Sequence, residues 1–205
     1  MTTIFIHGLG QTASSWEATV SYLPQHPNIH CPDLFKLYSD QDITYQKLYE
    51  AFVAYCEQFP PPFNLCGISL GSILALNFAI DYPEKVKSLV LIAAQVKMPK
   101  KLLRGQNIIL KLLPEKFFSH SGIQKAQLIQ LSGTMVDLDF RYGLKRITCP
   151  VLVVCGDRDY VNRRASKLLA AQLLDVKYEL IKNAGHEVNT EASQSLAATI
   201  EQFYN

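Results

Sequence analysis

The sequence predicts an α/β protein, a three-layer α/β/α sandwich on a mostly parallel sheet of about six strands. Two observations support this fold class. Six short apolar, β-branched runs recur along the 205 residues, and stretches with helical spacing of apolar residues separate them. Strands that alternate with helices in this way form parallel sheets with helices on both faces. We therefore expect one domain over residues 1–205, with the 48% hydrophobic content of an ordinary globular chain.

Each predicted element is a short segment bounded by turn residues. The strands cover residues 2–6, 28–31, 63–66, 88–93, 150–155 and 178–181. The helices cover residues 14–23, 44–58, 72–79, 163–174 and 190–203. The second helix has one apolar face, because Leu48, Phe52 and Tyr55 recur at three- and four-residue spacing. In parallel sheets of this kind, functional groups lie at the carboxyl ends of the strands.

The third strand leads directly into residues 67–71, which read G-I-S-L-G and match the pattern G-x-S-x-G. A strand that turns into a helix through this pattern is a nucleophile elbow. Ser69 must lie on a strained turn, where side chains at the two glycine positions would collide. The N–H of Leu70 then lies at a helix N-terminus, where a developing oxyanion is stabilised. A turn of small residues with a capping serine is the alternative interpretation.

Polar groups follow three other predicted strands. The first strand is followed by His7, the fifth by Asp157 and Asp159, and the sixth by His186. The strand ends meet at one edge of a parallel sheet, so we expect these side chains to lie near Ser69. A nucleophile, an acid and a base then follow one another in the chain order Ser, Asp, His.

That order is the one found in α/β-hydrolases, and the sequence resembles this superfamily from residue 2 to the C-terminus. The resemblance implies a trimmed α/β-hydrolase fold and a serine esterase-like enzyme. It implies that Ser69 is the nucleophile, His186 the general base and Asp159, the last residue of the family's G-x-x-D pattern, the orienting acid. By position in the family's H-G-x-x loop, the backbone N–H of Leu9 joins that of Leu70 in the oxyanion hole.

Several neighbouring residues have two interpretations. Asp157 competes with Asp159 for the acid role, and otherwise it is a turn or capping residue. For His7 in the H-G loop, we expect a structural role rather than proton transfer. Glu187 and Asn189, which follow the base, either support it or cap a helix.

The sequence departs from the family pattern in two places. The chain begins only a few residues before the H-G loop, so we expect a sheet without the extra strands of larger members. The turn at residues 33–36 lacks the glycine-rich loop that is common in the family. This second departure concerns the local backbone and leaves the expected triad unchanged.

Residues 95–148 occupy the place where this family inserts a lid. Their apolar side chains predict two to four small helices that cover Ser69: Leu102, Leu103, Ile109, Leu112, Leu113, Phe117, Phe118, Leu128, Ile129 and Leu131. Between Lys97 and Arg146 there are 10 Lys or Arg residues and 3 Asp or Glu residues. This excess predicts a solvated basic face, a site for an anionic substrate group, or attraction to an acidic membrane surface.

Composition limits the remaining possibilities. Five cysteines without a C-x-x-C pair predict inert core thiols in a reducing cytoplasm rather than disulfides or a metal cluster. The other histidines are not paired at ligand spacing, so no metal and no other cofactor are expected. A net charge of +2 without a run of like charges fits a small-molecule substrate and no nucleic-acid partner. Neither a secretory leader nor an integral membrane segment is predicted.

The expected function is hydrolysis of an ester or thioester of a small, largely apolar acyl group through an acyl-enzyme. Two alternatives from other classes stay open. One is a C–C hydrolase or a lyase of the menaquinone-biosynthesis type on an anionic substrate, which the basic lid would suit. The other is a non-catalytic binding protein on the same fold. Dehalogenase and epoxide hydrolase chemistry is disfavoured, since those relatives carry aspartate at the position of Ser69.

Overall fold

The computed structural model describes residues 1–38, 42–100, 103, 114–115 and 122–205. Its centre is a sheet of six parallel strands in the order β2-β1-β3-β4-β5-β6. The strands are β1 (Thr3–Ile6), β2 (Ile29–His30), β3 (Phe63–Ile68), β4 (Val86–Ile92), β5 (Val151–Gly156) and β6 (Val176–Ile181). The chain order reverses between β1 and β3, and open sheets bind ligands beyond the carboxyl ends of strands at such a point. The predicted six-stranded sheet is confirmed.

Seven α-helices lie in the described residues: α1 (Glu17–Ser21), α2 (Tyr45–Cys56), α3 (Leu70–Asp81), α4 (Lys125–Thr134), α5 (Tyr160–Ala170), α6 (Val188–Glu191) and α7 (Ser193–Tyr204). Two of the differences from the predicted helices have an identifiable cause. Helix α5 begins three residues earlier than expected, because the Asp159 carboxylate accepts the Asn162 N–H and caps the first turn. The last predicted helix is divided at Ala192, whose φ of −142° and ψ of 45° are not helical.

Alternate strand residues face opposite sides of the sheet and build two cores. On one side, strand residues pack against α2, α3, α4 and α5, and the strand contribution comes from Ile4, Ile6, Leu65, Leu89, Leu91, Val151 and Val153. On the other side, they pack against Trp16 and α7, and the contribution comes from Phe5, Cys66, Ile68, Val90, Ile92, Leu152 and Val154. Helices therefore cover both faces, and the predicted three-layer sandwich is confirmed.

The expected lid is described in part. Helix α4 and an antiparallel bridge between Lys97 and Asp139 lie within it. Leu128 and Leu131 are buried in the same core as α2 and α3. Six of its predicted apolar residues lie outside the described residues: Leu102, Ile109, Leu112, Leu113, Phe117 and Phe118. Across the ranges that the structure describes, no helix has the length and apolarity needed to cross a membrane.

Candidate active site

Ser69 joins β3 to α3 with a backbone φ of 53° and ψ of −114°. A conformation of this kind costs a non-glycine residue about 1–3 kcal/mol and persists only where the surroundings hold it. Here the Ser69 N–H donates to the carbonyl oxygen of Ile92, at the end of β4, over 2.9 Å. A strained serine between a strand and a helix has the geometry of a nucleophile elbow.

Gly67 and Gly71 let helix α3 pack tightly against the sheet. A Cβ on Gly71 would lie closer than 3.0 Å to the carbonyl oxygen of Ile6, and a Cβ on Gly67 would lie equally close to the backbone of Gly71. The expected collision at both glycine positions is therefore present. The Ser69 side chain makes no capping hydrogen bond to α3. The alternative interpretation, a turn with a capping serine, is wrong.

Asp159 and His186, which follow β5 and β6, are in direct contact. The Nδ1 atom of His186 lies 2.8 Å from Oδ2 of Asp159. Asp159 is buried, whereas the side chain of His186 is 44% exposed at the carboxyl edge of the sheet. In the described part of the chain, the Asp157 side chain makes no hydrogen bond to His186. Of the two aspartates that the sequence offered, the structure pairs Asp159 with the histidine.

Asn162, which the sequence analysis missed, contacts both members of this pair. Its side-chain Nδ2 donates to the two carboxylate oxygens of Asp159 over 3.0 and 2.8 Å and lies 3.1 Å from His186 Nδ1. The Nε2 of Gln95, just beyond β4, donates to the Asn162 Oδ1 over 2.6 Å. One signal was available. The residue three positions after a helix N-cap often contacts the capping residue, and Asn162 is three residues after Asp159.

The environment of Asp159 favours its ionised form. Burial by itself raises the pKa of this carboxyl group, but hydrogen bonds from His186 and Asn162 outweigh that effect and hold the pKa below its ordinary value. An ionised carboxylate next to Nδ1 keeps the proton on that nitrogen. The Nε2 of His186 is then free to accept a proton from a neighbouring hydroxyl group.

The H-G loop lies directly beside Ser69. A Cβ on Gly8 would be 3.5 Å from the Cβ of Ser69, which is ordinary van der Waals contact. The Gly8 N–H donates to Oε1 of Gln11 over 3.1 Å and is thereby occupied. The N–H groups of Leu9 and Leu70 donate to no acceptor among the described residues. The sequence analysis predicted these two N–H groups as the donors of an oxyanion hole.

His7 is buried inside the base of this loop. Its Nε2 accepts the Leu34 N–H over 2.9 Å, and its Nδ1 lies 2.9 Å from the Gly8 carbonyl oxygen. Burial lowers the pKa of His7 below its ordinary value, so the ring is neutral with its proton on Nδ1. This bonding pattern supports the structural role expected for His7.

The loop that carries His186 is held by residues on both sides. The carboxylate of Glu191 accepts the N–H groups of Gly185 and Glu187 over 2.6 and 3.1 Å. Asn189 is fully buried and bonds to Gln11. Glu187 is the N-cap residue of α6, as one of its two interpretations expected, but its side chain makes no capping hydrogen bond to that helix.

Three of the six described basic residues of the expected lid lie close to carboxylates. Lys97 and Arg141 lie 3.4 and 2.7 Å from Asp139, and Lys100 lies 2.5 Å from Asp137. Two carboxylates therefore offset part of the positive charge in this part of the lid. The described ranges also contain no group of three His, Cys, Asp or Glu side chains that could hold a metal ion.

Comparison with known proteins places this geometry in a family. The model of the alpha/beta hydrolase family matches residues 3–199. The pimeloyl-[acyl-carrier protein] methyl ester esterase of Nitrosomonas europaea is 29% identical over 91 residues, which is 44% of this chain and 36% of that protein. Human monoacylglycerol lipase ABHD6 is 21% identical over 249 residues, which cover 98% of this chain and 74% of the lipase.

Solved structures share the fold at low sequence identity. An esterase from Thermogutta terrifontis superimposes with a TM-score of 0.83 and 17% identity, covering 100% of this chain and 89% of its own. MenH from S. aureus has a TM-score of 0.83 and 17% identity, covering 99% and 92%. The family model spans nearly the whole chain, and the parallel sheet and elbow agree with it. The chain belongs to the alpha/beta hydrolase family and is an enzyme of the hydrolase type.

Proposed function

We propose that this enzyme is a serine hydrolase that cleaves an ester or thioester of a largely apolar acyl group through a Ser-His-Asp triad. One observation carries the proposal. The 2.8 Å hydrogen bond between His186 and Asp159 forms at the sheet edge where Ser69 is held at positive φ. A nucleophile on a strained turn, beside a base that an ionised carboxylate orients, is the arrangement needed for acyl transfer.

In the proposed mechanism, the Ser69 Oγ attacks the carbonyl carbon while Nε2 of His186 takes the hydroxyl proton. Asp159 stabilises the imidazolium that forms. The carbonyl oxygen becomes an oxyanion and accepts hydrogen bonds from the N–H groups of Leu9 and Leu70. His186 then gives its proton to the leaving alkoxide or thiolate, which leaves an acyl group on Ser69. Water activated by His186 releases the acid and restores the serine.

The contact between Ser69 and His186 has to close during this cycle. In the described structure the two side chains are not hydrogen-bonded to each other. In substrate-free hydrolases the catalytic hydrogen bonds are often long, and they tighten when substrate binds. The His186 side chain is 44% exposed, so part of its ring faces open space rather than packed protein.

Two features support an apolar acyl ester as substrate class. The names of two relatives, a methyl ester esterase and a monoacylglycerol lipase, both describe esters of aliphatic acyl groups. In addition, Asp137 and Asp139 pair with three of the six described lid cations, Lys97, Lys100 and Arg141. Among the residues that the structure describes, no specific observation favours the lyase on an anionic substrate or the binding protein.

Mass spectrometry after treatment with a fluorophosphonate probe tests the mechanism, with Ser69→Ala as the control. We expect a single adduct on Ser69 in the wild-type protein and none in the variant. A panel of p-nitrophenyl esters of increasing acyl length should show turnover that falls about 10⁴-fold or more in Ser69→Ala, while thermal unfolding stays unchanged. Full turnover by a folded Ser69→Ala protein would contradict the proposed mechanism.

We propose a cytoplasmic location from the state of the thiols. All five cysteines are free and four are buried. Burial raises the pKa of Cys31, Cys149 and Cys155 to about 11, which makes them poor nucleophiles. Free, unreactive thiols are typical of a reducing compartment. Localisation of a tagged full-length chain in its native cell tests this, and export would contradict it.

We also propose that residues 1–205 form one domain and that residues 95–148 form a lid over Ser69. The burial of Leu128 and Leu131 in the core shared with α2 and α3 supports this arrangement. A single cooperative unfolding transition is expected for one domain of this size. Two separate transitions would contradict it.

A further inference from the structure

A buried pair of amide side chains joins the H-G loop to the loop that carries His186. Nε2 of Gln11 donates to Oδ1 of Asn189 over 3.2 Å, and Nδ2 of Asn189 lies 3.4 Å from Oε1 of Gln11. The two residues are 178 positions apart in the chain. Gln11 is 9% exposed and Asn189 is fully buried. We call this pair the Gln11–Asn189 brace.

On the side of the H-G loop, the brace holds the backbone next to Leu9. Oε1 of Gln11 accepts the Gly8 N–H over 3.1 Å and the Ser15 hydroxyl over 3.4 Å. The Gly8 amide immediately precedes Leu9, whose N–H has no acceptor among the residues that the structure describes. Gln11 also donates its backbone N–H to the Gly8 carbonyl oxygen over 3.2 Å. That oxygen lies in the same peptide plane as the Leu9 N–H, so Gln11 contacts the backbone on both sides of the Gly8 Cα.

On the side of the base, Asn189 is three residues after His186. Its Nδ2 donates to the Ser15 carbonyl oxygen over 3.1 Å. Its own carbonyl oxygen accepts the Thr19 hydroxyl over 2.8 Å. These bonds tie the chain just beyond His186 to the segment that follows the H-G loop.

Packing alone does not account for two amides at this place. Burying amide groups is unfavourable unless all of their polar atoms are bonded, and apolar side chains of similar volume would fill the space without that requirement. Hydrogen bonds between amides differ from apolar contacts because they are directional, and each bond fixes the relative orientation of the two groups that it joins.

We propose that Gln11 and Asn189 are positioning residues that hold the oxyanion donor Leu9 and the base His186 in one fixed arrangement. The inference rests on the proposed function, in which these two groups act on the same reacting carbonyl. Errors of about 1 Å in such an arrangement cost about 10²-fold in rate. Neither brace residue touches the reacting atoms; they act through Gly8 and through the His186 loop.

A double-mutant cycle tests the brace with Gln11→Met, Asn189→Leu and the double variant. Asn64→Leu is the matched control. Asn64 is also buried and bonds to Ser88 and Thr3 at 2.8 and 3.2 Å, but it lies at the opposite, amino-terminal end of the strands. If Asn189→Leu does not fold, the smaller Asn189→Ala replaces it in the cycle.

We expect each single brace variant to lower kcat, and the rate at which the fluorophosphonate labels Ser69, by about 10- to 100-fold with little change in KM. The double variant should be no slower than the slower single variant, because one unit is broken in all three. Asn64→Leu should keep kcat per folded molecule. Two outcomes would overturn the proposal. One is a double variant whose loss of kcat is the product of the two single losses. The other is a loss of kcat in the brace variants no larger than that in Asn64→Leu.

A second measurement does not depend on catalysis. Hydrogen exchange of the Gly8 amide should speed up at least tenfold in Asn189→Leu, although the substitution lies in the other loop, and should be unchanged in Asn64→Leu. Unchanged exchange in Asn189→Leu would overturn the brace even where Ser69 reacts normally. If Ser69 of the wild-type protein takes no fluorophosphonate label, the proposed function is contradicted. The exchange rate of the Gly8 amide would then test by itself whether the brace couples the two loops.

Discussion

The proposed nucleophile and the proposed acid–base pair are held in place by different means. Ser69 is held by backbone packing: Gly67 and Gly71 bring α3 against β1, and the Ile92 carbonyl binds the turn. Asp159 and His186 are held by side-chain hydrogen bonds: Asn162 bonds to Asp159 and is itself bonded by Gln95, while Asn189 and Glu191 fix the backbone of the loop that carries His186. Close backbone contact tolerates no added atom, whereas a hydrogen-bond network can lose one member and keep the rest.

The two means of support should therefore fail differently. Damage to the backbone packing should remove the fold together with the activity. Damage to the hydrogen-bond network should remove activity and leave the fold, because each of its bonds contributes only about 0.5–1.5 kcal/mol to stability.

The largest effect is expected from Gly71→Ala. Its Cβ would overlap the carbonyl oxygen of Ile6, and separating α3 from β1 should cost about 3 kcal/mol or more. Urea unfolding measures the loss. Gly133→Ala is the matched control, since no atom lies within 4 Å of its Cβ position in α4; it should gain about 0.5–1 kcal/mol. Equal stability of the two variants would refute the packing argument.

Asp159→Asn should lower kcat by about 10⁴-fold, since an amide at this position cannot hold the proton on Nδ1 of His186. Steady-state kinetics on the best p-nitrophenyl ester measures the effect, and circular dichroism checks the fold. Asp157→Asn is the matched control two residues away and should stay within a few-fold of the wild-type enzyme. If Asp157→Asn were the more damaging change, the acid role would pass to Asp157.

Glu191→Ala should reduce kcat by about tenfold through looser positioning of His186. The carboxylate accepts N–H groups on both sides of the histidine, those of Gly185 and Glu187. A pH–rate profile of similar shape but lower plateau would separate this effect from a change in the base itself. Glu50→Ala is the matched control. Glu50 is an exposed glutamate on α2 that accepts a hydrogen bond from Gln46, and its loss should leave kcat unchanged.

The smallest effect concerns pH and His7. Burial lowers the pKa of His7 in the folded protein, so only the unfolded chain gains a proton as the pH falls through the ordinary histidine value of about 6.5. Stability should therefore decline below that pH until the folded pKa is reached. Melting temperatures between pH 7.5 and 5 should fall less steeply in His7→Gln than in the wild-type protein. Parallel curves would show that His7 is not responsible.

Much of the fold followed from the sequence because parallel strands and helices have distinct local patterns. The strand at β3 was predicted two residues short, and α5 was predicted to begin at residue 163 because the capping role of Asp159 was not recognised. The C-terminal helix was predicted as one piece, since its residues carry helical spacing on both sides of Ala192. Boundaries of this kind depend on capping contacts and packing, which a local pattern does not contain.

The sequence by itself predicted the class of fold, the strained turn at Ser69 and the chain order of the proposed nucleophile, acid and base, because these depend on short patterns and on steric limits within a few residues. Only the tertiary structure shows that Asn162 bonds to Asp159 beside His186 and that Gln11 pairs with Asn189. The resemblance to the family had already pointed to Asp159 rather than Asp157, and the structure pairs Asp159 with His186. Those contacts join residues that are brought together by the packing of the sheet and the loops. No local sequence pattern predicts which residue a buried amide side chain will bond.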